Sequence, residues 1–265
     1  MVESDTQTLS SSYGVTPRQN GVNGHSYTPG AATSNKPNSA LPQNEEKSEA
    51  ESLDKLLQVS VIVLRQAVDL VNHSLSEDDQ LTVESKFIPG STIGVFLSLV
   101  LSLALKGLSA YCKHLRHATD HFSLLLDSLS SSDSESQSKA SAAAGQRRPD
   151  LELSYDVRAR GTPMESSRSA AKAALESCIA RLQNAVPHVE RDRGVRLTAV
   201  TPYVQTFRTS LGRELWFAAL HAVHHWSMVR VIAGELGIQL EDSFGVAPST
   251  LVYRGTECPL GKAKI

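Results

Sequence analysis

Four stretches of the chain repeat apolar or histidine positions at alternating steps of three and four, the period of a helix face buried against its neighbours. The first, over residues 52–73, carries Leu56, Val63, Ala67 and Leu70. The second, over 113–129, places His114, His117, His121 and Leu124 on one stripe. The third, over 163–186, aligns Ala171, Leu175, Cys178, Leu182 and Ala185. Its start is well marked, with Thr162 as N-cap, Pro163 in the first turn and Glu165 as capping-box partner. The fourth, over 207–236, sets Leu211, Ala218, His221, His225, Met228 and Ile232 in register, and Gly237 supplies a stop. No strand pattern of similar length competes, so the pattern predicts an all-α protein, an antiparallel four-helix bundle over 52–258 with residues 239–258 packed over one end.

Two stretches lack such a stripe. Residues 1–51 are rich in Ser, Thr, Asn, Gly and Pro and end in an acidic run. They bury too little apolar surface to offset their ordering entropy, and a disordered N-terminal tail is expected. Residues 130–149, dominated by Ser and Ala, are expected to form a flexible low-complexity loop. A third stretch is uncharged and rich in apolar residues, from Phe87 to Leu105. A membrane span needs about 20 predominantly apolar residues, but Pro89, Gly90 and several serines dilute this run. A membrane role is therefore the weakest of the readings, behind a buried extension of the second helix.

Charge narrows the choice of partner. Lys and Arg number 26 against 28 Asp and Glu, a net charge of −2 with an isoelectric point near 6.5. That leaves no basic field for nucleic-acid phosphates or an anionic membrane. The three cysteines, Cys112, Cys178 and Cys258, are odd in number and far apart, which fits neither a disulfide framework nor a zinc knuckle. With no leader readable at the N-terminus, a cytoplasmic protein is expected.

The histidines carry the chemistry. His221 and His225 stand four apart, so their rings project side by side from one helix face and can chelate one ion. His117 lies on the core-facing stripe of the second helix. Two helices thus direct imidazoles into one interior, where an uncompensated ring is costly. Three neutral imidazoles with one open position suit zinc, nickel or ferrous iron. The same residues also allow a polar core in which the rings hydrogen-bond to backbone and side chains. His114, His121 and His224 are alternates or surface groups, and Glu214 and Asp120 are placed to orient an imidazole or to serve as solvated carboxylates. Cys178 reads as a small buried residue rather than a nucleophile. No nucleophile elbow, phosphate loop or dinucleotide fingerprint is present.

The run Pro89-Gly90-Ser91-Thr92-Ile93-Gly94, then Lys113 to Phe122 (KHLRHATDHF), then Arg213-Glu214-Leu215 leading into His221-Ala222-Val223-His224-His225, resembles the DinB-like superfamily of small metal-binding four-helix bundles. The resemblance implies a divalent metal held by His117, His221 and His225. It further implies thiol-dependent transferase or hydrolase chemistry on a small molecule, with a low-molecular-weight thiol as co-reactant, and a homodimer. The alternative is a noncatalytic metal-binding or interaction module. In the family the STIG-like element runs almost directly into the histidine-bearing helix, whereas here residues 95–112 intervene as an atypical apolar insert. A translated intron would produce such an insert, and sequencing the transcript tests that. Tyr155 to Gly161, with Glu165, and Phe244 to Thr250 look like signatures of one branch without a readable role.

Overall fold

The apolar stripes fold as helices and meet along their buried faces in the computed structural model, which describes residues 43–93, 112–138, 149–157 and 159–262. Helix α1 (Gln43–Asp69) runs on into a single π turn, Leu70–Ser74. It buries Leu57, Leu64, Ala67 and Leu70. Its start lies inside the stretch expected to be a disordered tail, because the Gln-, Glu- and Lys-rich end of that stretch is good helix material despite lacking an apolar face. Residues 1–42 lie outside the described residues.

Helix α2 (His114–Ser138) likewise continues past the expected end near residue 129 into the Ser-rich stretch, whose later part, 139–148, is outside the described residues. Helix α3 (Arg168–Ala185) buries Ala171, Leu175, Cys178 and Leu182, as its stripe requires. The capping box of Thr162 and Glu165 is present, but it closes a separate 3-10 turn, Pro163–Glu165. The α-helix proper begins after Ser167, whose Oγ accepts from the Ala170 amide at 3.4 Å. Helix α4 (Leu211–Glu235) ends where Gly237, at φ +71°, turns the chain so that the Ile238 amide reaches the Ala233 carbonyl at 2.8 Å. Helix α1 packs against α3 and α4, and α2 packs against the same two. Trp226 of α4, fully buried, ties this arrangement together by donating its indole N–H to the Val63 carbonyl of α1 at 2.8 Å.

The all-α expectation is wrong. A three-stranded mixed sheet, β3 (Leu151–Leu153), β4 (Gly194–Val200) and β5 (Val204–Ser210), stands beside the helices, with β3 parallel and β5 antiparallel to the central β4. Residues 207–210, expected in the fourth helix, are the last part of β5, and Ser210 caps α4 by accepting from the Arg213 amide at 3.4 Å. The alternation Val195-Arg196-Leu197-Thr198-Ala199 and the β-branched run in 204–209 favour strands, and Pro202 sits in the turn between them. Opposite pairs Val195↔Thr209 and Leu197↔Phe207 share a face with Leu151 and Leu153, and Leu151, Leu153 and Val195 on that face are buried.

Two short strands, β1 (Ser91–Thr92) and β2 (Cys112–Lys113), pair in parallel, and the Leu115 amide donates to the Ile93 carbonyl at 3.2 Å. The two ends of the apolar stretch are thus neighbours, while residues 94–111 lie outside the described residues. Among the described residues no helix is long and apolar enough to cross a membrane. The C-terminal stretch does pack on the helices, as expected: Phe244, Leu251 of helix α5 (Pro248–Tyr253) and Leu260 are buried. Arg230 Nη1 donates to the carbonyls of Glu241, Asp242 and Phe244, fastening this segment to α4.

Candidate metal centre

Positions 114, 117 and 121 of α2 lie within two turns on a face turned toward α4, and 221 and 225 lie one turn apart on α4. His114, His117, His121 and His225 are buried and His221 is half-buried. One ring nitrogen from each of His117, His121 and His221 lies within 4.8 Å of the others. The His117 ring sits edge-on to three others, with centroid distances of 4.9 Å to His121, 5.1 Å to His221 and 4.9 Å to His225. Of the three residues singled out in the sequence, His117 and His221 belong to this group. His225 adjoins it, its Nε2 3.0 Å from His221 Nε2.

His121 joins them although it was read only as an alternate. The helical spacing 117 to 121 already placed both rings one turn apart on α2. His114, also an alternate, lies behind His225, with the two Nδ1 atoms 2.7 Å apart. His224 is exposed and stands outside the buried set.

Hydrogen bonding fixes which ring nitrogen carries the proton. A neutral imidazole carries one N–H. His121 Nδ1 lies 3.0 Å from the His117 carbonyl, an acceptor only, so Nδ1 holds the proton and Nε2 keeps its lone pair. His225 has a histidine nitrogen at hydrogen-bond distance on each side, so it donates through one nitrogen and accepts through the other. Burial, followed by the neighbouring rings His221, His114, His117 and His224, lowers the His225 pKa to about 2. Burial, then His224, lowers that of His114 to about 4. Both rings are neutral at pH 7, the form a metal requires.

The donor set fits a divalent first-row ion. Nitrogens bound to one zinc at about 2.0–2.1 Å stand about 3.3 Å apart in a tetrahedron. The 3.0 Å between His221 Nε2 and His225 Nε2 is close to that separation, and equally that of a hydrogen bond between two neutral rings.

Around the imidazoles stands an aromatic and carboxylate frame. The Tyr155 ring stacks on His121 with centroids 4.5 Å apart at 22°, and its hydroxyl donates to Glu214 Oε2 at 3.0 Å. Burial, and then the Glu214 carboxylate, hold the Tyr155 pKa far above the ordinary phenol range, so the hydroxyl stays protonated. Glu214 is itself buried; Thr209 Oγ1 and Arg213 Nη1 donate to its Oε1 at 2.9 and 3.2 Å. Tyr155 links it to His121. Asp120 pairs instead with Arg116, whose Nε lies 3.3 Å from Glu165 Oε1, which binds the 3-10 turn to α2. Burial pushes the Cys178 thiol up to about 11, in keeping with a packing role.

No family model matches the chain, and no solved structure matches it. A protein described as FK506-binding protein 5, from Rhizopus delemar, is 25% identical over 204 residues, which cover 74% of this chain and 37% of that protein. The chain therefore spans little more than a third of that relative's length. These comparisons give no support to the DinB-like label, just as the sheet overturns the all-α one.

Proposed function

We propose that the protein binds one divalent first-row metal ion, zinc, nickel or iron, in the interior between α2 and α4. His117, His221 and His225 are the ligands read from the sequence, and His121 presents a further nitrogen to the same point. The observation that carries the reading is the convergence of imidazoles from two helices: buried His117 and His121 and half-buried His221 each bring one ring nitrogen within 4.8 Å of the others. The proposal stands on that geometry and does not need the family resemblance.

An ion held there would act as a Lewis acid, lowering the pKa of a bound water or thiol. This supports a metal- and thiol-dependent transferase or hydrolase acting on a small molecule. The protein's own residues prepare the site. Tyr155 holds the His121 ring flat, Glu214 anchors Tyr155, and His114 fixes the far nitrogen of His225. Free Cys178 and Cys258 agree with work in the reducing cytoplasm. The name of the Rhizopus relative, FK506-binding protein, adds no activity to the proposal because so little of that protein is matched.

A noncatalytic metal-binding or interaction module is the second reading. It is favoured by the way the rings satisfy one another, at 2.7 Å and 3.0 Å, without needing an open position. Metal analysis of the purified full chain tests both. About one first-row ion per chain is expected, lost in the His117→Ala, His221→Ala double variant. An empty, metal-indifferent protein overturns the metal reading. Metal-dependent turnover of electrophilic small molecules with added thiols separates enzyme from module.

A further inference from the structure

A cavity of about 820 Å³ lies between the β4–β5 hairpin and the first two turns of α4. That volume falls within the range of small-molecule pockets, about 300–1,000 Å³. Tyr155 and Phe217 line it, and these two rings stack on His121 and His221 at 4.5 and 5.7 Å. The cavity is thus next to the histidine cluster without including it.

We propose that this cavity binds small-molecule carboxylates with a flat aromatic body, the carboxylate meeting the guanidinium of Arg213. Three observations carry this. The cavity is lined by Leu197, Ala199 and Phe207 of the sheet and by the rings of Tyr155 and Phe217, an apolar and aromatic lining suited to a flat ring. The acidic group in the lining, Glu214, is buried and already takes hydrogen bonds from Tyr155, Thr209 and Arg213, so it has little left to offer a cation.

Arg213, in contrast, is preorganised and half available. Its guanidinium carbon lies 4.9 Å from the Phe217 ring centroid and 5.9 Å from that of Trp216, and Nη1 donates to Glu214. The rest of the guanidinium makes no other hydrogen bond among the described residues, and the side chain is 51% exposed. A guanidinium placed over a ring, with donors left unused, can take a carboxylate in two parallel hydrogen bonds. Arg208, also in the lining, adds positive charge but stands in solvent with Asp150 at 3.8 Å, so its share is smaller.

The inference rests on the sheet and α4 and is independent of whether the histidines hold an ion. The test is accordingly made on the metal-free full chain in a chelator, by calorimetric titration with 2-naphthylacetate, 2-naphthylacetamide and 2-naphthylethylamine. The carboxylate is expected to bind at least tenfold more tightly than the amide, and the amine not at all at the same concentrations. Arg213→Gln should abolish the preference for the carboxylate with an unchanged circular dichroism spectrum, and Arg208→Gln should weaken it less. Ala199→Trp, which fills the cavity from the sheet side, should remove binding of all three. Equal binding of amide and carboxylate, an unaltered Arg213→Gln variant, or no binding by any probe overturns the proposal.

Discussion

Replacing His221 by alanine is the sharpest test of the centre, because His221 belongs both to the triad His117, His121, His221 and to the pair it makes with His225. Structural zinc sites with four ligands bind with about 10–16 kcal/mol, so one ligand is worth about 2.5–4 kcal/mol. Since about 1.4 kcal/mol is a factor of ten, zinc affinity should fall by two to three orders of magnitude. His121→Ala and His225→Ala divide the remaining question. Each ring presents Nε2 to the cluster while Nδ1 is engaged elsewhere, by the His117 carbonyl and by His114 respectively. Whichever ring completes the set should show the same large loss as His221→Ala. His114→Ala removes the partner of the far nitrogen of His225, and losing a group that orients a metal ligand costs about 10–100-fold. The assay is competition with a chromophoric chelator at pH 7.5, with a thermal melt of each variant to show that it is folded. Zinc binding by His221→Ala as tight as that of the unaltered protein would refute the reasoning.

Acid should destabilise the metal-free protein. The unfolded chain takes protons on His114 and His225 below about pH 6.5. The folded protein resists until about 4 at His114 and about 2 at His225. The unfolded state therefore binds more protons in this window, and stability falls with pH at up to about 1.4 kcal/mol per pH unit for each ring. Urea unfolding at pH 7, 5.5 and 4.5 measures the slope, and a flat profile contradicts it. Gly245→Ala should cost about 2–4 kcal/mol, because a Cβ there would meet the Trp226 carbonyl at 2.7 Å while φ is +68°. Gly161→Ala, with the same φ and nothing within 4 Å, should lose only about 1–2 kcal/mol, and the two melting temperatures compare the space directly. Glu165→Gln removes one of the two carboxylates beside the buried Arg116 guanidinium while Asp120 remains, and should cost about 1–3 kcal/mol by denaturant titration. Replacing residues 95–111 by a short Gly/Ser linker should leave zinc binding in place, because the flanking strands Ser91–Thr92 and Cys112–Lys113, which pair in parallel, are both kept. Loss of zinc binding in a folded linker variant would show that the stretch shapes the site.

The helix faces were legible in the sequence because each is decided by a local repeat. Ala171, Leu175, Cys178 and Leu182 are buried as their spacing requires, and Gly237 ends α4 where its freedom at positive φ is needed. The same holds for His117 and His221, since a polar ring on a buried stripe must find partners in the interior. The sheet was not legible in that way. Residues 204–210 contain Phe207 in a register that also continues the α4 stripe, and only pairing with β4, distant in the helical reading, decides between the two periods.

Tertiary structure alone decided which histidines meet. His114, His117 and His121 share a face of α2, and one-dimensional spacing cannot say which of them lies opposite His221 and which behind His225. That depends on how far α2 is turned and shifted against α4, a quantity set by the packing of Trp226, Phe122 and the surrounding leucines rather than by any local motif. Tyr155 and Glu214, 59 residues apart, meet for the same reason. Hydrophobic periodicity determines which faces turn inward. The depth and rotation at which those faces interlock, and so the chemistry they assemble, belong to the folded whole.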